Sequence, residues 1–249
     1  MSKEYKAVLL DLDGTLVNTL YSLQDTMNKT MEHFGLDPIS IEQVKKYIGN
    51  GYHVFVEKSI SATADRYYRE AEKWEARDED KAMDLDQKAD EIMEFYDDAC
   101  DFYIRLFATN CTYGNEAYPG MKESLEILKQ RGKKLACVTN KSLEEANKVL
   151  DQVYGAGYFD YVSGDDGTHP LKPDTGVVND VCTKLQIPVS ECIFVGDTRT
   201  DMETAAKAGM PSVGCAFGYR GAKELEKYHA TTIIDHAGEL VKAIDSISR

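Results

Sequence analysis

The sequence predicts an α/β protein with a parallel-sheet core into which a block of helices is inserted. Three observations predict this class. Helix-like and strand-like segments alternate in strict order after residue 118. A strand-like apolar run, residues 6–12, stands near the start of the chain and precedes a long stretch of helical periodicity. Most of the net negative charge lies within that stretch, which sets it apart from the rest of the chain.

The composition is that of a folded protein of one or two domains: 249 residues, 43% hydrophobic and 29% charged. The 29 basic and 43 acidic side chains give a formal charge of −14. Such an acidic chain, with no Lys/Arg cluster, is not expected to bind nucleic acid or an anionic membrane. No apolar run approaches the roughly 20 residues of a membrane helix. With no visible signal peptide and no C-x-x-C pair, we expect a cytoplasmic protein, either a monomer or a homodimer.

The chain opens with a strand and continues with helices. Residues 6–12 form a short apolar run that ends in acidic side chains, which is typical of a buried strand. Helical patterns cover residues 20–34 and 39–47, and a third begins near residue 52.

The acidic stretch, residues 65–101, holds 15 acidic and 6 basic side chains. Steps of four and three predict one face of a long helix, which carries Leu85, Ala89, Ile92, Tyr96, Ala99, Tyr103 and Leu106. Tyr67, Ala71 and Trp74 give a shorter helical pattern before a turn at residues 77–80. We therefore predict an antiparallel helical hairpin near residues 63–107 whose acidic outer face is solvated.

From residue 118 onward the segments alternate. The predicted strands are 134–140, 158–163, 191–197, 212–217 and 232–235. The predicted helices are 121–131, 143–153, 175–185, 201–208 and a C-terminal one. Strict alternation favours a parallel sheet with helices on both faces. Because the first strand lies before the helical block, we predict a core of residues 1–17 and 114–249, with residues 18–113 inserted.

Polar side chains lie at the carboxyl ends of several predicted strands. They are Asp11 and Asp13 at the end of the first, Thr139 and Asn140 at the end of the second, Lys172 in the loop after the third, and Asp197 and Asp201 at the end of the fourth. Ligands of parallel α/β sheets bind outside the carboxyl ends of the strands. We therefore predict that these side chains form one site.

Residue types at this site suit phosphoryl transfer. Asp11, Asp13 and Asp197 would be like charges at close range, which is costly unless a cation such as Mg²⁺ neutralises them. Asp11 can act as a nucleophile and form an aspartyl-phosphate. Asp13 can protonate the leaving oxygen and later deprotonate water.

Other residues are candidates for holding the phosphate. Backbone N–H groups of the turn from Leu12 to Gly14 could bind its oxygens. Thr139 supplies a hydroxyl donor and Lys172 a cation, and Asn140 is a further candidate substrate contact.

Four motifs follow one another in order along the predicted core. They are Asp11-Leu12-Asp13-Gly14-Thr15-Leu16-Val17, Val138-Thr139-Asn140, Leu171-Lys172-Pro173 and Gly196-Asp197-(x3)-Asp201. Together they resemble the signatures of the haloacid dehalogenase superfamily, and the helical insertion after the first motif resembles its cap domain. The resemblance implies a Rossmann-like core with an all-helical cap, Mg²⁺ dependence and phosphoryl transfer.

The resemblance also implies roles for individual residues. Asp11 would be the nucleophile and Asp13 the general acid and base. Asp11, Asp197 and the backbone carbonyl of Asp13 would bind the metal, and Asp201 would support the metal-bound waters. Because a dehalogenating member would not need a second acid at Asp13, phosphatase chemistry is favoured.

A finer resemblance, to phosphoglycolate phosphatases, rests on short segments. They are Tyr47-Ile48-Gly49-Asn50-Gly51, Ser163-Gly164-Asp165-Asp166, residues 196–202 and Gly218-Tyr219-Arg220-Gly221. The expected partner is therefore a small phosphorylated metabolite, first of all 2-phosphoglycolate. Gly49, Asn50 and Gly51 either end a helix or form a loop that closes over the substrate.

Other functions stay open. The same chemistry could act on pyrophosphate, a nucleotide or a sugar phosphate. A phosphomutase would use the same residues but return the phosphoryl group to a sugar. A non-enzymatic protein that docks a partner on the acidic hairpin is the third alternative, which the intact set of acids disfavours.

Overall fold

The computed structural model describes residues 4–49 and 51–248. Its strands are β1 (Ala7–Leu10), β2 (Val17–Asn18), β3 (Glu116–Ala117), β4 (Lys134–Ser142), β5 (Tyr161–Asp165), β6 (Cys192–Gly196), β7 (Ser212–Cys215) and β8 (Thr232–Ile234). Its α-helices are α1 (Leu20–His33), α2 (Ile41–Tyr47), α3 (Tyr52–Trp74), α4 (Glu79–Glu94), α5 (Tyr96–Asn110), α6 (Met121–Gln130), α7 (Leu143–Tyr154), α8 (Gly176–Leu185), α9 (Arg199–Ala208), α10 (Ala222–Lys227) and α11 (Leu240–Ile247).

The chain divides into two compact units. The core unit contains residues 1–19 and 114–249, and the helical unit contains residues 20–113. Strands β1 to β8 and helices α6 to α11 belong to the core unit, and α1 to α5 belong to the helical unit.

A six-stranded sheet in the order β5-β4-β1-β6-β7-β8 forms the centre of the core unit. Every adjacent pair in it is parallel. Strand β1 therefore lies between β4 and β6, although these strands are far apart in sequence. The predicted α/β class with a Rossmann-like parallel sheet is confirmed.

Both faces of the sheet are buried, which is why its strands are nearly continuous apolar runs. On β1, Val8 and Leu10 pack into one apolar cluster, while Ala7 and Leu9 pack into a second cluster on the other face. Helices cover both faces, because α6, α7 and α11 contribute to the first cluster and α8 and α9 to the second.

Two details of the core unit are absent from the sequence predictions. The two-residue strands β2 and β3 form a small antiparallel sheet. The short helix α10 follows Gly221. Both elements are too short to produce a periodic pattern that a sequence window can detect.

The predicted single long helix of the acidic stretch is wrong. Helix α4 ends at Glu94 and α5 begins at Tyr96. At Phe95 the backbone N–H bonds to the carbonyl of Ile92, three residues back, so the regular ladder is interrupted. Since no glycine or proline marks this break and the apolar spacing continues across it, the sequence gives no signal of it.

Helices α3 and α4 form an antiparallel pair. Tyr68 on α3 donates a hydrogen bond to Asp90 on α4 at 2.6 Å, and Ser61 lies 3.7 Å from the sulfur of Met93. The later residue of α3, Tyr68, contacts the earlier residue of α4, Asp90, so the two helices run in opposite directions. Asp78 caps α4 by accepting the N–H of Lys81 at 3.1 Å.

Within the described ranges, every helix is too short or too polar to cross a lipid bilayer.

Candidate active site

The sheet order brings three strand ends together. Asp11 follows β1, Asp197 follows β6, and Thr139 lies in the second half of β4. Because β1 pairs with both β4 and β6 in parallel, these residues share one edge of the sheet. The Asp11 N–H donates to the Val195 carbonyl at 2.9 Å, which continues the ladder and fixes the backbone under the Asp11 side chain.

Lys172 links two carboxylates at this edge. Its ammonium nitrogen lies 2.8 Å from Oδ1 of Asp11, 2.8 Å from Oδ1 of Asp201 and 2.8 Å from the Val138 carbonyl. An ammonium group has three protons, so these three acceptors satisfy it completely. With only 3% of its side chain exposed, Lys172 holds Asp11 and Asp201 in fixed positions.

Asp197 is fully buried and held by two donors. Thr15 donates to its Oδ1 at 3.1 Å, and the Tyr219 N–H donates to its Oδ2 at 2.7 Å. The backbone of Gly14 (φ +86°) and that of Gly218 pass so close that a Cβ on either would overlap the Asp197 side chain. Glycine is therefore required at both positions, because only a bare backbone leaves room for this carboxylate.

Asp201 has two structural contacts. Its Oδ1 pairs with Lys172, and its Oδ2 accepts the N–H and hydroxyl of Thr198 at 3.1 and 2.7 Å. The Thr198 contacts form a capping box at the start of α9. From the sequence alone, Asp201 is either a helix cap or a residue of the site. In the structure its side chain both caps α9 and lies in the carboxylate cluster.

Burial dominates the electrostatics of this cluster. It raises the pKa of Asp11 to about 7, and the charges of Asp201 and Asp13 act in the same direction against the opposing effect of Lys172. Burial, followed by the charges of Asp201 and Asp11, raises the pKa of Asp197 well above its usual range. Burial opposes the charge of Lys172, but the Asp11 and Asp201 carboxylates outweigh it and raise the pKa of Lys172.

The donor set fits a divalent cation. Asp11, Asp197 and Asp201 are buried and each offers a carboxylate oxygen, and these oxygens lie within 4.8 Å of one another. With all three ionised and Lys172 protonated, two negative charges remain in a buried space. Hard oxygen ligands and an excess charge of two match what Mg²⁺ requires.

Asp13 has a different environment. Its Oδ1 accepts the hydroxyl of Thr19 at 2.6 Å, and its Oδ2 lies 3.2 Å from the ammonium of Lys141. Its side chain is 23% exposed, whereas that of Asp11 is 10% exposed. The two acids predicted to share the chemistry are therefore held by separate cations, Asp11 by Lys172 and Asp13 by Lys141.

The other predicted core residues surround these acids. Thr139 is buried, and its hydroxyl accepts the N–H of Lys141 at 3.2 Å. Asn140 accepts the backbone N–H of Lys172 at 2.8 Å and donates to the Lys172 carbonyl at 3.0 Å. Asn140 therefore positions the Lys172 loop, and its predicted substrate contact stays a prediction.

Several backbone groups of the turn after β1 hydrogen-bond to one another. The N–H of Gly14 donates to the Val17 carbonyl at 2.9 Å, and the Leu12 carbonyl accepts the N–H of Leu16 at 3.0 Å. The Gly14 N–H, which the sequence suggests for a phosphate oxygen, is thus already used inside the turn. A phosphate contact by Leu12 stays a prediction.

The candidate loop Gly49-Asn50-Gly51 belongs to the helical unit. Gly49 and Gly51 have φ angles of +106° and +86°, and Gly51 is the residue before α3. Both conformations favour glycine, which accounts for these residues as a turn between α2 and α3. Asn50 lies outside the described residues, and substrate contact by this loop stays a prediction.

Five described residues that contact the acids are missing from the predicted set: Thr15, Thr19, Lys141, Thr198 and Tyr219. Thr15 and Thr198 already lie within the quoted motifs. Lys141 directly follows Asn140 and Thr19 lies two residues after the first motif, so the motifs could have been extended to include them. Tyr219 lies 200 positions from Thr19, to which its hydroxyl bonds, and no sequence spacing indicates that contact.

The core unit thus combines a parallel α/β sheet with a buried carboxylate cluster at its carboxyl edge, and sequence comparison supplies the family. The model of the haloacid dehalogenase-like hydrolase family matches residues 8–215. The chain belongs to that family, and the predicted hydrolase class of phosphatase type is confirmed.

Similar proteins cover nearly the whole chain. The phosphoglycolate phosphatase of Vibrio parahaemolyticus is 29% identical over 242 residues, which are 97% of this chain and 97% of that protein. The phosphoglycolate phosphatase of Mannheimia succiniciproducens is 28% identical over 98% of this chain and 100% of that protein. The crystal structure of a predicted phosphoglycolate phosphatase from Haemophilus somnus superposes with a TM-score of 0.79 at 25% identity, covering 96% and 97% of the two chains. The predicted resemblance is confirmed.

Proposed function

We propose that this protein is a Mg²⁺-dependent phosphomonoester hydrolase that works through an aspartyl-phosphate and acts on 2-phosphoglycolate. One observation carries the proposal. A buried carboxylate, Asp11, is fixed by Lys172 beside two further acids, and a second, more exposed acid, Asp13, lies two residues away on separate contacts. The names of the similar enzymes support the choice of substrate.

The proposed first half-reaction gives the two acids separate roles. A carboxylate oxygen of Asp11 attacks phosphorus, and the bond from phosphorus to the ester oxygen breaks. Asp13 gives its proton to the departing oxygen, which leaves as an alcohol. Lys172 holds the Asp11 carboxylate in place through Oδ1. The products of this step are the alcohol and the aspartyl-phosphate.

The second half-reaction returns the enzyme to its starting state. Asp13, now a carboxylate, takes a proton from water as the water oxygen attacks phosphorus. The bond from phosphorus to Asp11 breaks, which releases inorganic phosphate and restores the Asp11 carboxylate. Thr139 is available as a hydroxyl donor toward the phosphoryl group.

Asp11, Asp197 and the backbone carbonyl of Asp13 would hold the cation, and Asp201, which lies in the same carboxylate cluster, would support its bound waters. When bound, Mg²⁺ would neutralise these carboxylates and offset the charge on the phosphoryl oxygens. A small phosphorylated metabolite as partner and a cytoplasmic location belong to the same proposal.

The test measures phosphate release from 2-phosphoglycolate, pyrophosphate, nucleotides and sugar phosphates, with and without Mg²⁺. We expect the highest kcat/KM for 2-phosphoglycolate, no activity after chelation, and none for Asp11→Asn. Asp84→Asn, which alters an exposed acid on α4, is the matched control and should behave as the unmodified protein.

Each other outcome has a defined meaning. Metal-dependent release led by another substrate would retain the mechanism and reject 2-phosphoglycolate. Isomerisation of a sugar phosphate that requires a sugar bisphosphate and releases no net phosphate would indicate a phosphomutase. A folded protein that releases phosphate from none of the substrates would contradict the proposal.

A further inference from the structure

Asp13 is connected to a residue near the other end of the chain by a line of hydrogen bonds. The hydroxyl of Thr19 donates to Oδ1 of Asp13 at 2.6 Å. The same hydroxyl oxygen lies 3.0 Å from the phenol oxygen of Tyr219, and the backbone N–H of Thr19 donates to that phenol oxygen at 3.1 Å. All three residues belong to the core unit, and Thr19 is its last residue before α1.

The direction of each bond is determined by the number of available protons. A threonine hydroxyl has one proton, and in this network it goes to Asp13. The bond between Thr19 and Tyr219 must then use the phenol proton, which Tyr219 donates to the Thr19 oxygen. The phenol oxygen in turn accepts the Thr19 N–H. The Tyr219 hydroxyl therefore fixes both the backbone and the side chain of Thr19.

This line of bonds distinguishes the two oxygens of Asp13. Oδ1 is occupied as an acceptor of a short hydrogen bond from Thr19. Oδ2 faces Lys141 at 3.2 Å and has a second lone pair available. The proton that passes to a leaving group is consequently carried by Oδ2, so the orientation of the carboxyl plane decides whether transfer is possible.

We propose that Tyr219 is a positioning residue whose hydroxyl, through Thr19, orients the Asp13 carboxyl for proton transfer to the leaving group. The inference rests on the proposed function, because it assigns Tyr219 a part in the first half-reaction. Tyr219 also contacts Asp197, but through its backbone N–H. A change of the side chain alone therefore separates the two contacts.

The experiment uses Tyr219→Phe, which removes the hydroxyl and keeps the buried ring. Substrates with leaving groups of different basicity distinguish a role in proton transfer from a role in folding. An alkyl phosphate releases a basic alkoxide that needs a proton, whereas 2,4-dinitrophenyl phosphate releases a stable phenolate that does not. The alkyl substrate is the one that the unmodified protein hydrolyses fastest, whichever it is. The parameter is kcat/KM, which excludes the later hydrolysis of the aspartyl-phosphate.

We expect Tyr219→Phe to lower kcat/KM about tenfold for the alkyl phosphate and by less than about twofold for the dinitrophenyl ester. Asp13→Asn should show the same selectivity with a larger loss, about 100-fold or more for the alkyl phosphate. Thr19→Val should resemble Tyr219→Phe, and Thr19→Ser, which keeps the hydroxyl, should recover most of the activity.

Tyr154→Phe is the matched control. Tyr154 is a partly buried tyrosine of the core unit, and its hydroxyl donates to the Leu16 carbonyl at 2.7 Å. Loss of this hydroxyl should change kcat/KM by less than about twofold for either substrate, because the hydroxyl does not contact Asp13 or Thr19.

Equal losses on both substrates for Tyr219→Phe, or no loss on either, would overturn the inference while the proposed function stands. An unmodified protein that is inactive on both esters would overturn the proposed function and the inference with it.

Discussion

Acidic side chains have opposite roles in the two units. In the helical unit, residues 65–101 contain 15 of them, and none is buried. In the core unit, Asp11, Asp197 and Asp201 are buried together at one edge of the sheet. The denser group is a solvated surface, and the sparser one is the candidate site. The comparison teaches that burial and convergence, rather than the number of carboxylates, indicate function.

The largest expected effect is the loss of activity on neutralising one buried carboxylate. Asp11→Asn should lower kcat/KM by at least about 1,000-fold, because an amide cannot serve as the nucleophile. Steady-state phosphate release from the best substrate measures it. Asp84→Asn on α4 should leave kcat/KM unchanged. Comparable losses for both variants would remove the distinction between the two groups of acids.

The second prediction compares two lysines. Lys172→Met should lower the free energy of unfolding of the metal-free protein by about 3 kcal/mol, since it leaves Asp11 and Asp201 buried without their cation. Lys29→Met removes an exposed pair with Asp25 on α1 and should cost less than about 0.5 kcal/mol. Urea unfolding at neutral pH measures both. A cost for Lys29→Met equal to that for Lys172→Met would contradict the comparison.

The third prediction concerns metal binding. Mg²⁺ at about ten times its dissociation constant should raise the free energy of unfolding by about 1.4 kcal/mol, because it binds the native acids and not the unfolded chain. Chelation should reverse the effect. Asp197→Asn should abolish the rise in Tm, and Asp84→Asn should not. A rise that survives Asp197→Asn would place the cation elsewhere.

The smallest expected effect lies in the helical unit. Asp78→Ala removes the cap of α4 and should cost about 1 kcal/mol in unfolding free energy. It should leave kcat/KM unchanged, since this acid serves only local structure. Thermal unfolding and the phosphate-release assay measure the two quantities. Loss of activity without loss of stability would show that this acid has a functional role.

Much of the core unit could be predicted because its patterns are local. The apolar run before Asp11 and the alternation after residue 118 both result from burial of a parallel sheet on two faces. The helices of the helical unit are less predictable. The apolar spacing from Leu85 to Leu106 continues through Phe95, where one helix ends and the next begins without a glycine or proline.

At the site, the sequence predicts which residues take part but not which of them contact each other. Asp11, Asp13, Asp197 and Lys172 could be proposed from sequence because each follows a strand, and strand ends share an edge. The order of the strands, and so which acid lies beside which, is not visible in the sequence. The sequence does not predict a site role for Lys141 although it adjoins Asn140, because a lysine after a strand is most often a surface residue.

The sequence by itself determined the class of the fold, the family and the set of acids, because strand periodicity and short motifs are properties of neighbouring residues. The tertiary structure alone decided how the acids are held. It places Lys172 against Asp11 and Asp201 and Lys141 against Asp13. It also places Tyr219 against Thr19, which is 200 positions away in the sequence. These contacts depend on strand order and on the path of the loops between strands, which are fixed only when the whole sheet is assembled.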